Sequence, residues 1–200
     1  MGVILSTSER RGSARERLLA RLLDAFGETL PPPEMSLREV AAQIETSHAL
    51  LRYHFGSLPG VLAAMLKAQR SRDNEALLEA ARHSTFEEFA EAIWRTYTRP
   101  EQLSRTRGFL YVVGLAAYGP ENFREFVESI GDLTVALSSL AEREGLDAQE
   151  AREVATVTIA AMRGLLLQEV LAPGTCPKDA ITLILRMRDG RSVPRSGPER

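Results

Sequence analysis

Cysteine, histidine and tryptophan are scarce in this sequence. The 200 residues include one cysteine, three histidines and one tryptophan. A single cysteine, Cys176, excludes an intramolecular disulfide and any zinc site that needs paired cysteines. His48 and His54 lie six positions apart, on different faces of a helix, so they do not form a metal-binding pair. We therefore expect a protein of the reducing cytoplasm, without a bound metal.

Recognisable catalytic motifs are also missing. The sequence has no nucleophile elbow, no phosphate-binding loop and no HExxH pair. The scarcity of histidine and cysteine leaves few groups for acid–base or nucleophilic chemistry. We expect no enzymatic activity, no catalytic residue and no cofactor, and an enzyme is the least favoured alternative function.

No segment predicts a membrane span, and neither charge dominates. The most apolar run, 154–167, contains Arg163 and is shorter than the roughly 20 residues of a spanning helix. The 25 lysines and arginines nearly balance 27 acidic residues, for a net charge of −2. This balance neither indicates nor excludes DNA binding, which needs only one basic face. We expect a soluble globular protein with one large or two small domains.

Apolar residues recur at intervals of three and four along almost the whole chain, and the alternation typical of strands is missing. Helix starts are marked by serine, threonine or aspartate followed three positions later by glutamate, at 36–39, 85–88 and 147–150. The sequence therefore predicts an all-α protein of about nine helices. We place them at 14–26, 37–44, 47–55, 58–82, 86–98, 101–118, 120–143, 148–171 and 177–188.

Residues 47–55, SHALLRYHF, combine the spacing of a short helix with several hydrogen-bond donors. Leu51 and Phe55 lie four positions apart and can both face a core. The other sides then present donors for phosphate oxygens or base edges. Two short helices joined by a tight turn, with a third helix that supplies apolar backing, are the parts of a helix-turn-helix unit. The second of the two short helices enters the DNA major groove. A plain three-helix packing unit would show the same spacing.

The same region resembles the N-terminal part of the tetracycline-repressor (TetR) family of bacterial transcription regulators. Its pattern, (S/T)-x-x-x-(I/V)-A-x-x-x-G-V-S-x-x-x-L-Y-x-H-F, is matched at Ser36, Val40, Ala41, Ser47, Leu51, His54 and Phe55. The resemblance covers about residues 14–66. It implies a three-helix DNA-binding unit followed by a helical ligand-binding and dimerisation domain. The DNA contacts that it implies are Ser36, Arg38, Ser47, His48, Ala49, Arg52, Tyr53 and His54.

Three positions depart from the family pattern. Glu45 stands at the turn glycine, so the turn must either place this residue in the left-handed region or take another geometry. Arg52 replaces a tyrosine and keeps a donor, whereas Leu58 replaces a lysine and loses one, which would weaken phosphate binding. These departures leave open an alternative, a helical adaptor or sensor whose DNA binding is weakened or lost.

The resemblance further implies a flexible arm at 1–12, the DNA-binding domain at 13–60 and a regulatory domain at 61–190. The tail at 191–200 combines proline, glycine, serine and arginine without an apolar stripe, so we expect it to be disordered. A homodimer would bind a pseudo-palindromic operator in double-stranded DNA. We expect a repressor that an unknown small-molecule effector releases from this operator.

Residues of the regulatory domain are expected to form the dimer interface and the effector cavity. The interface residues are Ala155, Thr158, Met162, Leu165, Leu166, Ile181, Ile184 and Leu185, although an intrachain core would have the same spacing. The cavity is expected among the middle helices, lined by Trp94, Tyr97, Arg107, Phe109, Val113, Phe123, Met162 and Arg163. Arg107 and Arg163 could instead form structural ion pairs, since a charge among apolar neighbours needs a partner or water.

Overall fold

The computed structural model describes residues 7–27, 29–32, 34–177 and 179–188. Its helices are α1 (Thr7–Phe26), α2 (Leu37–Gln43), α3 (His48–Phe55), α4 (Leu58–Ala81), α5 (Phe86–Tyr97), α6 (Leu103–Tyr118), α7 (Arg124–Ser129), α8 (Asp132–Arg143), α9 (Ala148–Leu171) and α10 (Ala180–Arg188). Short 3-10 turns lie at Pro100–Gln102 and Pro120–Phe123. Within the described ranges there is no strand, so the all-α prediction is confirmed.

The helix starts agree with the capping patterns. At α2, the Glu39 N–H donates to Ser36 Oγ at 3.2 Å, and the Ser36 N–H donates to Glu39 Oε2 at 2.7 Å. Thr85 and Glu88 form the same reciprocal pair at the start of α5. Asp147 caps α9 by accepting from two backbone N–H groups. These bonds satisfy N–H groups that have no partner inside the helix.

The largest differences from the expected helices are in the stretch 120–143 and at the start of α1. The stretch 120–143, predicted as one helix, is divided into a 3-10 turn, α7 and α8, with a break at Ile130 and Gly131. Glycine costs about 0.5–1 kcal/mol in a helix interior, which favours a break there. Helix α1 begins at Thr7, so residues 7–12 of the arm expected to be flexible are helical. Residues 1–6 and the expected disordered tail lie outside the described residues.

Packing divides the chain into two units. The first comprises the described residues of Met1–Ser71 and Arg107–Ser129, and the second those of Arg72–Thr106 and Ile130–Arg200. Helices α1 to α3, the first part of α4, most of α6 and α7 therefore belong to the first unit. The functional domains expected at 13–60 and 61–190 stay a prediction, because this division concerns packing alone.

The core of the first unit supports α3. Its fully buried side chains include Leu22, Val40, Leu51, Leu62, Met65, Val112 and Phe126. Gly108 of α6 lies so close to Leu30 that a Cβ there would overlap the Leu30 side chain. Gln69 Nε2 donates to Gly27 O at 3.0 Å, which ties the end of α1 to α4. Buried apolar side chains from α1, α2, α3 and α4 thus lie together in the first unit.

The core of the second unit is formed by α5, α8, α9 and α10 around Phe86, Phe89, Leu137, Ala151 and Ala155. Buried polar groups have partners at its edges. The Phe86 N–H donates to Glu144 Oε1 at 2.6 Å, and the Tyr97 hydroxyl donates to Asn74 Oδ1 at 3.0 Å. Arg105 pairs with Asp73 at 2.8 Å. These bonds offset the cost of removing the polar groups from water.

Candidate nucleic-acid interface

The turn between α2 and α3 is closed by two backbone hydrogen bonds. The Thr46 N–H donates to Ala41 O at 2.9 Å, and the Glu45 N–H donates to Ala42 O at 3.0 Å. Among the described residues, Glu45 is the one non-glycine residue with a positive φ, 50°. These bonds define a Schellman motif, in which glycine is usual at the position of Glu45. Of the two outcomes expected for this departure, the structure has the left-handed conformation.

Arg21 joins α1 to this turn. Its Nη2 donates to Glu45 O at 3.3 Å and lies 3.8 Å from Glu45 Oε2. The Glu45 side chain is 91% exposed, so water screens the ion pair, which is worth on the order of 0–1 kcal/mol. The bond to the carbonyl is the more specific contact, because it holds the backbone of the turn against α1.

Glu45→Gly is expected to stabilise the protein by about 0.5–1 kcal/mol. Relief of the left-handed conformation contributes about 1–2 kcal/mol, and the larger backbone entropy of glycine in the unfolded chain offsets about half of this gain. The midpoint of thermal unfolding should rise by about 1–4 °C. The matched control is Gly145→Ala, at φ 103° in the same kind of turn after α8, which should lower the midpoint. A lower midpoint for Glu45→Gly would contradict this account of the turn.

Helix α3 is held firmly at both ends. The Leu50 N–H donates to Ser47 Oγ at 3.1 Å, which caps the first turn. Leu51 and Phe55 are buried, so they anchor the helix to the core. Gly60 at the start of α4 lies against the Phe55 carbonyl, and a Cβ there would overlap that oxygen. The end of α3 and the start of α4 can approach this closely only because residue 60 has no side chain.

The outer side of α3 presents a mixed polar and aromatic surface. Ala49 and Arg52 are exposed, and Tyr53 is 60% exposed. His54 is half-buried and meets the Tyr53 ring edge-on, with 5.0 Å between the ring centroids. His48 is half-buried on the flank of the helix. Among the predicted DNA contacts on α3, Ala49, Arg52 and Tyr53 are therefore the most exposed.

The remaining predicted DNA contacts lie at helix starts. Ser36 and Arg38 are exposed at the start of α2, and Ser47 is exposed at the start of α3. Leu50, which the sequence analysis did not single out, is 40% exposed on α3. An exposed apolar side chain on a recognition helix can pack against a thymine methyl group. Its position three residues before Tyr53, on the side away from Leu51, was the signal in the sequence.

The residues expected to line an effector cavity are divided between the two packing units. Arg107, Phe109, Val113 and Phe123 belong to the first, and Trp94, Tyr97, Met162 and Arg163 to the second. Met162 is buried in the core of the second unit, against which Trp94 and Tyr97 pack. Arg163 Nη2 donates to the backbone carbonyl of Ile130 at 2.9 Å. The effector cavity stays a prediction.

Five of the eight residues expected at a dimer interface are buried within their own chain, namely Ala155, Thr158, Met162, Ile181 and Leu185. A side chain that is already covered has no surface left to bury against a second protomer. These five residues therefore belong to the intrachain core, the alternative that their spacing left open. Leu165, Leu166 and Ile184 are half-buried.

A different stripe of α9 is exposed and apolar. It consists of Val157, Ala160, Gly164, Leu167 and Leu171, of which Val157 is 66% exposed and Leu171 72%. Intervals of three and four place these residues on one side of the helix. In the described part of the chain, no atom beyond the local backbone lies within 4 Å of a Cβ built on Gly164. We call this set the α9 stripe.

By length and composition alone, α9 could cross a membrane. Its most apolar 18-residue window has a mean hydropathy of 1.5, and 22% of that window is buried. The apolar run 154–167 is only the middle part of this helix, which has 24 residues. A single helix of this kind is weak grounds for a membrane protein, because an exposed apolar face is equally typical of a protein–protein interface.

Comparison with known proteins identifies the fold. No protein-family model matches the chain, and no curated protein sequence matches it. A transcriptional regulator from Rhodococcus sp. Rha1 superposes with a TM-score of 0.64 and 20% identity, over 90% of this chain and 99% of that chain. A TetR transcriptional regulator from Legionella pneumophila superposes with a TM-score of 0.56 and 17% identity, over 94% and 98%. The chain has the fold of the TetR-family transcriptional regulators.

Proposed function

We propose that the protein is a DNA-binding transcriptional regulator whose helix α3 reads the major groove. The proposal rests on how α3 packs, with one side buried in the core and the other exposed. Leu51 and Phe55 are buried while Arg52 and Tyr53 are exposed. A helix fixed on one side and open on the other has the geometry that a recognition helix needs.

The side chains around α3 suit both phosphate and base contacts. Arg52 can bind guanine O6 and N7 or a phosphate, and the Tyr53 hydroxyl can donate to a phosphate oxygen. Ser36 and Arg38 are exposed at the start of α2, where a hydroxyl and a guanidinium can donate to phosphate oxygens. Glu45 adopts the left-handed conformation that the turn requires, so its presence does not by itself favour an adaptor that has lost DNA binding.

We further propose that the protein acts as a homodimer through the α9 stripe. A contiguous apolar surface of this kind is costly to leave in water. Ala160 and Gly164 lie between the larger side chains of Val157 and Leu167, so the backbone of a second helix can approach closely there. A two-fold dimer presents two copies of α3, as a pseudo-palindromic operator requires.

The finer role that we propose is a cytoplasmic repressor released by a small-molecule effector. A ligand shifts an equilibrium only by its different affinity for the two states. The effector must therefore bind the DNA-free arrangement more tightly than the DNA-bound one. By reciprocity, operator DNA weakens effector binding by the same factor by which the effector weakens DNA binding.

The proposal predicts strongly salt-dependent binding to DNA from upstream of the protein's own gene. If the dimer neutralises at least about four phosphates, its affinity should fall by ~100-fold or more between about 50 and 200 mM salt. Fluorescence anisotropy with a labelled duplex measures this dependence, and a scrambled duplex of equal length is the control. Equal, weak binding to both duplexes at every salt concentration would favour a helical adaptor or sensor without specific DNA binding.

A further inference from the structure

A groove of about 320 Å³ lies in the first packing unit, beside the end of α3. One face of α4 forms its floor, with Gly60, Ala63 and Ala64 followed one turn later by Lys67. Arg15 of α1, His54 and Phe55 of α3, and residues 121–126 complete the lining. The volume lies at the lower end of the range that binds small molecules, which begins at about 300 Å³. The small floor residues leave space that larger side chains would fill.

Two cations in this groove share one carboxylate oxygen. Lys67 Nζ lies 3.1 Å from Glu125 Oε2, and Arg15 Nη2 lies 3.6 Å from the same atom. The Arg15 guanidinium also lies over the Phe55 ring, 5.3 Å from its centroid. The hydrogen bond from Lys67, followed by the charge of Arg15, keeps the pKa of Glu125 below its usual range. Glu125 therefore shows that this pair of cations accepts a carboxylate.

Another carboxylate could replace that of Glu125 beside Arg15 and Lys67. The Glu125 side chain is 61% exposed, and those of Arg15 and Lys67 are 37% and 40% exposed. Exposed ion pairs contribute little to stability, on the order of 0–1 kcal/mol, so exchange for another carboxylate costs little. Arg124 adds a third full positive charge to the lining, against Glu121 and Glu125. The groove thus keeps an excess of positive charge beside the aromatic rings of Phe55, Phe123 and Phe126.

We propose that this groove binds a small aromatic monocarboxylate, whose carboxylate replaces Glu125 at Arg15 and Lys67 and whose ring packs over Ala63 and Ala64. Carboxylate bonds to arginine and lysine are charge-assisted and are stronger than neutral ones. Flat apolar surface between aromatic side chains suits a ring better than a flexible chain. An ion that lacks a ring would leave this apolar surface in water.

The groove is also placed to influence DNA binding. Glu125 links α7 to α1 through Arg15 and to α4 through Lys67, and Phe55 belongs to α3 itself. A ligand that takes the place of Glu125 removes the ion pairs that join α7 to α1 and α4, while Phe126 stays buried in the core. The effector role of the ligand rests on the proposed function, whereas binding in the groove does not.

Methyl NMR of the full-length protein labelled at alanine tests the site. Benzoate and phenylacetate are the probes, and benzamide and phenylacetamide are the uncharged controls. The two carboxylates should shift the Ala63 and Ala64 methyl signals with a Kd of about 1 mM or tighter, and the amides should not. No shift of these signals at about 20 mM carboxylate, or equal shifts with the amides, would overturn the proposal.

Three variants sharpen this test. Glu125→Gln should tighten benzoate binding by about 2- to 5-fold, because it removes the competing carboxylate, and Lys67→Met should weaken it by about as much. Glu128→Gln is the matched control, since Glu128 is exposed on the same helix, α7, but does not line the groove, and it should leave the affinity unchanged. Weaker or unchanged binding by Glu125→Gln would overturn the exchange of carboxylates.

Anisotropy with labelled DNA separates this inference from the proposed function. If the carboxylates bind at Ala63 and Ala64 but no duplex is bound specifically, the proposed carboxylate site is supported and the DNA-binding proposal fails. If DNA is bound and the alanine signals do not move, the proposed carboxylate site is wrong and the proposed role as a DNA-binding regulator is supported. If both bind and saturating benzoate leaves DNA affinity unchanged, the effector role is wrong.

Discussion

The double substitution Val157→Asp and Leu167→Asp is expected to convert the dimer into monomers and to lower operator affinity by about 100-fold or more. Val157 is 66% exposed and Leu167 43% exposed in the single chain, so aspartate at either position costs the monomer little. In a two-fold interface each change occurs twice, and each unpaired carboxylate buried among apolar groups costs several kcal/mol. The dimer dissociation constant should therefore rise by at least about 1000-fold.

Sedimentation velocity measures this change, and Val127→Asp is the matched control. Val127 lies on α7 and is 40% exposed, close to the value for Leu167, but it does not belong to the α9 stripe. The control should remain dimeric with unchanged operator affinity. A double variant that sediments as an intact dimer would place the interface on another surface.

The double substitution Arg52→Ala and Tyr53→Ala is expected to lower operator affinity by about 1000-fold or more while leaving the fold intact. Both side chains are exposed on α3, and alanine is the best helix former, so stability should change little. Loss of each base or phosphate contact costs about 1–3 kcal/mol. The dimer loses four such side chains, two from each recognition helix.

A matched variant controls for the removal of arginine and tyrosine elsewhere. Arg95 of α5 and Tyr118 of α6 are both exposed, and Arg95→Ala with Tyr118→Ala should leave operator affinity within about twofold of the unchanged protein. Circular dichroism and sedimentation should show native helicity and dimerisation for both double variants. Equal operator affinity for the two would remove α3 from the role proposed for it.

Local features of the fold could be predicted from the sequence because they depend on neighbouring residues. The reciprocal bonds of Ser36 and Glu39 follow from a three-residue spacing, and the anchoring of α3 follows from the four-residue spacing of Leu51 and Phe55. The left-handed conformation of Glu45 was one of two outcomes expected where the TetR-family pattern has glycine. Each of these features needs only the contacts within one or two helical turns.

The division of α9 between core and exposed surface could not be predicted in this way. Ala155, Thr158 and Met162 face the chain's own core, whereas Val157, Gly164 and Leu167 are exposed. Both sets are apolar or small and both follow the same helical spacing, so periodicity cannot tell which side the chain itself covers. Which side of α9 is buried is decided by the packing of α5, α8 and α10 against it.

The groove could not be predicted because its residues come from distant parts of the chain. Arg15, Lys67 and Glu125 lie on α1, α4 and α7, and each one alone looks like an ordinary surface charge. Gly60, Ala63 and Ala64 indicate a small-residue face on α4, but only the packing of residues 121–126 beside it turns that face into a groove. Phe123 was assigned to an effector cavity, and the structure places it in this lining.

Selection of bound duplexes from a random-sequence library tests most directly whether the protein is a dimeric, sequence-reading regulator. The account predicts enrichment of a pseudo-palindromic site whose two half-sites lie about one helical turn, 10–10.5 base pairs, or a small multiple of it apart. The Arg52→Ala and Tyr53→Ala variant should enrich no site under the same conditions. Recovery of unenriched sequences by the unchanged protein, or of the same site by the variant, would contradict the account.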